Sequence, residues 1–273
     1  MLPEQQLKQQ AADQVLAYIQ SGMVVGLGAG STALLAVHGL AAKLDRGELT
    51  DILGIPCSRV IEAEAKRLGI PLTSLEDHPV IDLTFDGADE VDPALNLIKG
   101  GGGALLREKI VAQSSRCEII IVDESKLSPA LGTHWAVPVE VIPFGWRTQY
   151  AYLESLGARP KLRPGPDGAP FVTDQGNYIL DSAFGPIGDP VSLGARLDAR
   201  TGIVCHGLFL GLANQVIVAG TSGLRYLMPE APATITSFAS PRNSPWHTMP
   251  VRASRRAPRL TGSLIGPKAL SRM

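Results

Sequence analysis

Long apolar runs are missing from this chain. Its hydrophobic stretches are strand-sized, which argues against a transmembrane helix. The first residues, Met1-Leu-Pro-Glu-Gln-Gln, lack a basic segment followed by an apolar one, so no signal peptide is expected and the cytoplasm is the expected location. Cysteine is scarce. Cys57, Cys117 and Cys205 are odd in number and widely spaced, with no Cys-x-x-Cys, which fits free or buried thiols in a reducing compartment and argues against structural zinc. Excess charge is also absent: the formal net charge is −1, so no nucleic-acid partner is expected. The five histidines form no His-x-x-x-His or Cys/His group and read as structural. There is no Gly-x-Ser-x-Gly elbow to support a serine hydrolase. What remains is 273 residues, 45% hydrophobic and 19% charged, enough for one large domain or two ordinary ones with a sizeable core.

Glycine, by contrast, is concentrated where chemistry can use it. Asp86-Gly87-Ala88-Asp89 is followed by Lys99-Gly100-Gly101-Gly102-Gly103 and then by Arg107-Glu108-Lys109. Four consecutive glycines add nothing to packing and cost backbone entropy, so they point to a tight turn or a close approach to a ligand. Between a strand and a helix they offer bare N–H groups to an anionic or polyhydroxylated molecule. The charges around them read as acid–base equipment. Clustered acids can also hold magnesium, but Lys99 already balances the charge, so no metal is expected. A second loop, Gly26-Leu-Gly28-Ala29-Gly30-Ser31-Thr32, joins a strand to a helix and can cradle a phosphate with its N–H groups and two hydroxyls. It lacks the sixth-position glycine of a dinucleotide fingerprint and the lysine of a P-loop, and it would serve equally as a plain tight turn.

The patterning predicts alternating strands and helices. Leu7, Ala11, Val15 and Ile19 mark a first helix, Met23–Leu27 a strand, and Ala33, Val37, Leu40 and Leu44 a second helix with Ser31 or Thr32 as its N-cap. Strands at Ile52–Ile55, Ile81–Phe85 and Glu118–Val122, with helices at Ile61–Leu68 and Ala104–Ser115, continue the rhythm. The expected fold class is α/β: a Rossmann-like, mostly parallel sheet flanked by helices, with a smaller α+β second domain. Residues 132–203 are read as the smaller domain, with a strand at Val137–Val141, a helix at Thr148–Leu156 and a hairpin pairing Phe171–Asp174 with Tyr178–Asp181. Residues 1–131 and 204–226 are read as the catalytic domain. The segment 227–273, rich in proline and basic residues with Glu230 its single acid, is read as a disordered tail.

Together these motifs resemble ribose-5-phosphate isomerase type A. The likeness also takes in Asp123-Glu-Ser-Lys126, Pro138-Val-Glu-Val-Ile-Pro143, Val172-Thr-Asp-Gln-Gly-Asn177 and His206-Gly-Leu-Phe209, in order over residues 5–226. The resemblance implies interconversion of ribose 5-phosphate and ribulose 5-phosphate, in the pentose phosphate pathway, with no metal or organic cofactor. It also implies a homo-oligomer, dimer or tetramer. By position Glu108 matches the general base, Asp86 and Asp89 the acids of ring opening and hydroxyl handling, and Lys99 the cation beside the reacting oxygens. Substrate-binding positions are Gly28, Ala29, Gly30, Ser31, Thr32, Gly87, Ala88, Gly100, Gly101, Gly102 and Lys126, with Lys8 as an N-terminal phosphate lysine. Two residues depart from the pattern: Ala29 and Cys57 stand where the family usually has Thr or Ser. A phosphosugar-sensing module without turnover and a coenzyme A transferase are the other readings.

A chain ending at Pro229 is expected to fold and to turn over as the full chain does, since the tail lacks a periodic apolar face. Thermal melting and an isomerase assay check this. A midpoint lower by many degrees would show the tail to be structural.

Overall fold

The computed structural model describes residues 4–229. The chain opens with α1 (Glu4–Val15), β1 (Val24–Leu27), α2 (Ser31–Asp45), β2 (Leu53–Pro56), α3 (Arg59–Arg67) and β3 (Leu83–Asp86). Two short strands follow, β4 (Glu90–Val91) and β5 (Leu97–Ile98), then α4 (Leu105–Gln113) and β6 (Glu118–Asp123). The next stretch holds β7 (Val137–Val141), α5 (Trp146–Ser155), β8 (Arg159–Leu162), β9 (Tyr178–Ala183), α6 (Pro190–Asp198) and β10 (Ile203–His206). The last strands are β11 (Leu208–Phe209), β12 (Gln215–Gly220) and β13 (Gly223–Leu227).

A six-stranded sheet runs in the order β13-β12-β6-β3-β1-β2. All its pairings are parallel except the terminal β12–β13 hairpin. β6 and β12 are buried along their whole length, as strands covered on both faces must be. One face packs against α1 and α2 through Leu7, Ala11, Val37, Leu40, Phe85 and Ile121. The opposite face carries Ile120, Val122 and Val218 with Leu105 and Ala112 of α4. Phe85 and Phe209 are fully buried, each side chain worth about 1.5–3 kcal/mol of transfer from water. An antiparallel sheet, β10-β7-β9-β8, packs on α5 and α6 through Val139, Leu153, Leu180 and Leu197. A third, β11-β5-β4, holds the chain immediately before the glycine tetrad.

Several local readings are corrected. α2 is capped by Gly30, at φ +91°, without a side-chain bond, so Ser31 begins the helix instead of capping it. The strand opposite Tyr178–Ala183 in the expected hairpin is Arg159–Leu162, not Phe171–Asp174. Thr173 and Asn177 are instead drawn to one oxygen of buried Glu140, at 2.8 and 2.9 Å, which fixes that segment as a loop. The expected boundary at 203/204 falls inside β10, whose His206 pairs with Val139. β13 reaches Leu227, which pairs with Val216, so the expected start of the tail is a strand residue. The rest of that tail, from residue 230, lies outside the described residues.

Candidate active site

Three loops at the carboxyl ends of the parallel strands β1, β3 and β6, where open α/β sheets place their ligands, meet a fourth that follows β5 of the small antiparallel sheet, and together they line one cleft. β1 leads through Gly28-Ala29-Gly30 into α2. β3 ends on Asp86 and turns through Gly87-Ala88-Asp89. β5 delivers Lys99 and the glycine tetrad to α4, which carries Glu108 in its first turn. β6 ends at Asp123, followed by a 3₁₀ turn with Lys126. Lys8 reaches in from α1. The cleft holds about 120 Å³ of space and opens to solvent.

Of the residues expected from sequence, Lys8, Ala29, Gly30, Ser31, Thr32, Gly87, Ala88 and Asp89 line this cleft. So do Lys99, Gly100, Gly101, Gly102, Glu108 and Lys126. Gly28 and Asp86 do not; they stand one layer behind. Gly28, just after β1, lies close against β3: a Cβ there would come 2.5 Å from the Asp86 Cα. Asp123 and Val122 also line the cleft. Sequence reading passed over Asp123 in favour of its neighbour Lys126. The clue was available, since Asp123 is the last residue of a buried strand.

At the floor of the cleft lies a buried charge cluster. Lys99 is 3% exposed, Asp86 1% and Glu108 5%. Lys99 Nζ donates to the Gly87 carbonyl at 2.6 Å and lies 2.9 Å from Asp86 Oδ2. It is 3.6 Å from Glu108 Oε2, too far for a hydrogen bond. The Phe209 ring covers it at 5.5 Å. Asp86 Oδ1 accepts the N–H groups of Ala29 at 3.0 Å and Gly87 at 2.7 Å. Three donors thus meet one carboxylate, and Asp86 ties the loops after β1 and β3 to the lysine. Burial alone would lower the Lys99 pKa, but Asp86 and Glu108 together raise it, so it stays an ammonium. Burial raises the Asp86 pKa, against the pull of Lys99.

Like Asp123 at the same cleft, Glu108 is left partly unsatisfied. Its Oε2 has no hydrogen-bond partner. Burial, opposed by Lys99 and reinforced by Asp86 and Asp89, raises its pKa from 4.5 to about 7. A carboxyl tuned to that range can both take and return a proton near neutral pH. Asp89 differs: it is half-exposed, and its Oδ2 accepts the Gly101 N–H at 2.8 Å.

The rest of the lining suits an anion. Gly30 opens the N-terminus of the fifteen-residue α2, with Ser31 exposed and Thr32 at its first turn. Lys126 and Lys8 add two ammonium groups, both half-buried. Lys126 lies 5.6 Å from the Trp135 ring and Lys8 pairs with Glu4.

The model of the ribose 5-phosphate isomerase A (phosphoriboisomerase A) family matches residues 53–223. The chain belongs to that family. A relative from Desulfatibacillum aliphaticivorans, named ribose-5-phosphate isomerase A, is 56% identical over 225 residues, covering 82% of this chain and 98% of its own. A solved D-ribose-5-phosphate isomerase in complex with phospho-erythronic acid is 40% identical, with a TM-score of 0.82 over 83% of this chain and all of that one. The ribose 5-phosphate isomerase from Plasmodium falciparum is 42% identical, with a TM-score of 0.80 over 82% of this chain and 98% of that one.

The two departures from the family's usual residues have different consequences. The Ala29 N–H is spent on Asp86, so that position contributes its backbone to the cluster and not to a ligand. Cys57 is fully buried, and its sulfur, an Asp86 oxygen and a Glu108 oxygen all lie within 4.8 Å of one another. Burial pushes the thiol pKa well up, so Cys57 adds no charge. These three could in principle ligate a metal, but the Lys99 ammonium already sits against two of them.

Replacing Lys99 with Met would leave two buried carboxyl groups without their cation. Removing one partner of a buried pair costs about 3–5 kcal/mol. Both carboxyls would then have folded-state pKa values above their unfolded ones, so the loss grows as pH rises and shrinks in acid. Urea unfolding of Lys99→Met at pH 5 and pH 8 checks this; equal destabilisation at both would contradict it.

Proposed function

We propose that this chain interconverts ribose 5-phosphate and ribulose 5-phosphate by proton transfer through an enediolate, with Glu108 as the base. The observation that carries the assignment is Glu108 itself: buried, raised to about 7, with a free oxygen beside a fixed ammonium. Starting from the aldose, Glu108 takes the proton from C2 of the open-chain sugar. The electron pair moves into a C1–C2 double bond and the carbonyl oxygen becomes the oxyanion. Glu108 then returns the proton to C1 while the C2 hydroxyl proton passes to the C1 oxyanion, so C2 becomes the ketone and C1 the alcohol. One carboxylate on one face serves both steps.

Lys99 and the Gly102 N–H of the tetrad stabilise the developing oxyanion without having to reorganise. Asp89, half-exposed at the cleft, is placed to exchange protons with sugar hydroxyls and help open the ring. Asp86 has no such access. We assign it to holding Lys99 and the loops, a narrower role than the resemblance implies. Ser31, Thr32, the α2 N-terminus, Lys126 and Lys8 grip the phosphate, whose binding energy orients the remote reacting carbons. No step is given to a metal, because Lys99 supplies the positive charge.

Neither a non-catalytic phosphosugar sensor nor a coenzyme A transferase is favoured, since the acid–base set is intact and the relatives are isomerases over nearly their whole length. We also infer a homo-oligomer, consistent with the exposure of Phe144, Val60 and Val191. A cytoplasmic location suits the free thiols of Cys57, Cys117 and Cys205.

Conversion of ribose 5-phosphate in the presence of EDTA tests the reading, and activity is expected to be undiminished. Glu108→Gln should fold normally and lose on the order of a hundred- to ten-thousand-fold in kcat. In the wild type, a base with its pKa near 7 must be ionised to work, so kcat/KM should fall as pH drops through about 7. Lys99, raised above its ordinary value, stays charged throughout that range. A profile flat from pH 5 to 9, or a Glu108→Gln variant near wild-type turnover, would remove Glu108 from the role.

A further inference from the structure

The glycine tetrad has no side chains; its own Gly103 N–H closes on the Gly100 carbonyl at 2.9 Å, and a side chain from outside adds to that hold. Gly100 and Gly103 take left-handed φ angles of +102° and +85°, which the bare backbone does not enforce by itself. The group that reaches it is Arg163, just after β8. Its Nη1 donates to the Gly100 carbonyl at 2.9 Å and to the Gly101 carbonyl at 3.1 Å. Its other edge is committed to Asp181 on β9, with Nε at 2.9 Å and Nη2 at 2.5 Å. The guanidinium also lies 5.8 Å from the Phe171 ring. That ring stands so close to Gly103 that a Cβ there would meet its Cζ at 2.5 Å. The fork is therefore fixed on one edge and reads two successive carbonyls with the other.

A trans peptide is planar and holds its C=O and N–H on opposite sides. With the Gly100 carbonyl turned to Arg163, the Gly101 N–H must point the other way, and there it meets Asp89 Oδ2 at 2.8 Å. With the Gly101 carbonyl turned to Arg163, the Gly102 N–H is likewise sent away from it, toward the cleft that Gly102 lines. We propose that Arg163, clamped by Asp181, is a positioning residue that aims these two N–H groups, one at Asp89 and one at the reacting oxygens. It lies behind the loop and acts only through it. The proposal rests on reading this cleft as an isomerase site.

The test compares Arg163→Met, Arg163→Lys and Asp181→Asn with the wild type in the full chain. Three quantities are measured: kcat and KM for ribose 5-phosphate, the melting midpoint, and amide hydrogen exchange of residues 99–104 without substrate. Misplacing a catalytic group by about an ångström can cost on the order of a hundredfold, so Arg163→Met should lower kcat by that order. KM should change only a few-fold, because the phosphate grip is untouched. Exchange at Gly101 and Gly102 should quicken. Arg163→Lys, which keeps the charge but not the fork, should recover part of the kcat. A folded Arg163→Met with kcat within about threefold of wild type and unchanged exchange overturns the proposal. So does a variant whose lost activity is accounted for by a lowered midpoint and a raised KM. If Arg163→Met does not fold, Asp181→Asn decides. Its guanidinium remains but is unclamped, and a kcat loss of about tenfold with faster loop exchange is expected; no change in either refutes the clamp. A wild-type chain that fails to isomerise ribose 5-phosphate would defeat the functional reading instead, while the exchange data would still decide whether Arg163 fixes the loop.

Discussion

A single ammonium group, withdrawn from water, organises this cleft. Lys99 cannot be buried at tolerable cost without Asp86, and Asp86 cannot be buried without Lys99 and two backbone N–H groups. Satisfying both draws in the loop after β1, the loop after β3 and the strand before the glycine tetrad. The same arrangement leaves Glu108 close enough to feel the positive charge but too far to share a hydrogen bond. The poised carboxyl is thus a by-product of how the charge pair was made affordable. Fold and chemistry are joined at that point.

Much of this was legible in the sequence because the physics was local. Buried parallel strands announce themselves as runs such as Glu118–Val122. Polar residues placed directly after them can only lie at the carboxyl edge of the sheet. Four glycines between a strand and a helix admit few purposes. Hence Asp86, Asp89, Lys99 and Glu108 were singled out from spacing, and the structure brings them together. Their division of labour was not visible. Asp86 and Asp89 look alike in Asp-Gly-Ala-Asp, and only burial separates a carboxylate committed to Lys99 from one open to the cleft.

What stayed hidden depended on contacts distant in the chain. Phe171–Asp174 has the composition of a strand, yet a buried Glu140 more than thirty residues earlier takes Thr173 and Asn177 as its partners and bends the segment into a loop. No motif in the sequence links Arg163 to Asp181 or to the tetrad; only the fold sets Asp181 of β9 and the Gly100 and Gly101 carbonyls around it. A glycine cap at Gly30 overrode the two hydroxyl residues that follow. There the backbone had to turn at φ +91°, a conformation that suits glycine far better than serine or threonine.

The covering of Lys99 by Phe209 has a bearing on how the chain comes into being. The Lys99 N–H is received by the Gly207 carbonyl at 2.9 Å, and the aromatic lid follows two residues later, more than a hundred residues downstream of the lysine. β12, which fills the sheet between β6 and β13, comes later still. A nascent chain emerging from the ribosome therefore carries its charged centre uncovered, and the flank of β6 unpaired, until nearly all of the described sequence has been made. Such distant closures slow folding and prolong the exposure of strand edges. Chains broken off before Phe209 would carry Asp86, Lys99 and Glu108 without the aromatic ring that helps to bury them.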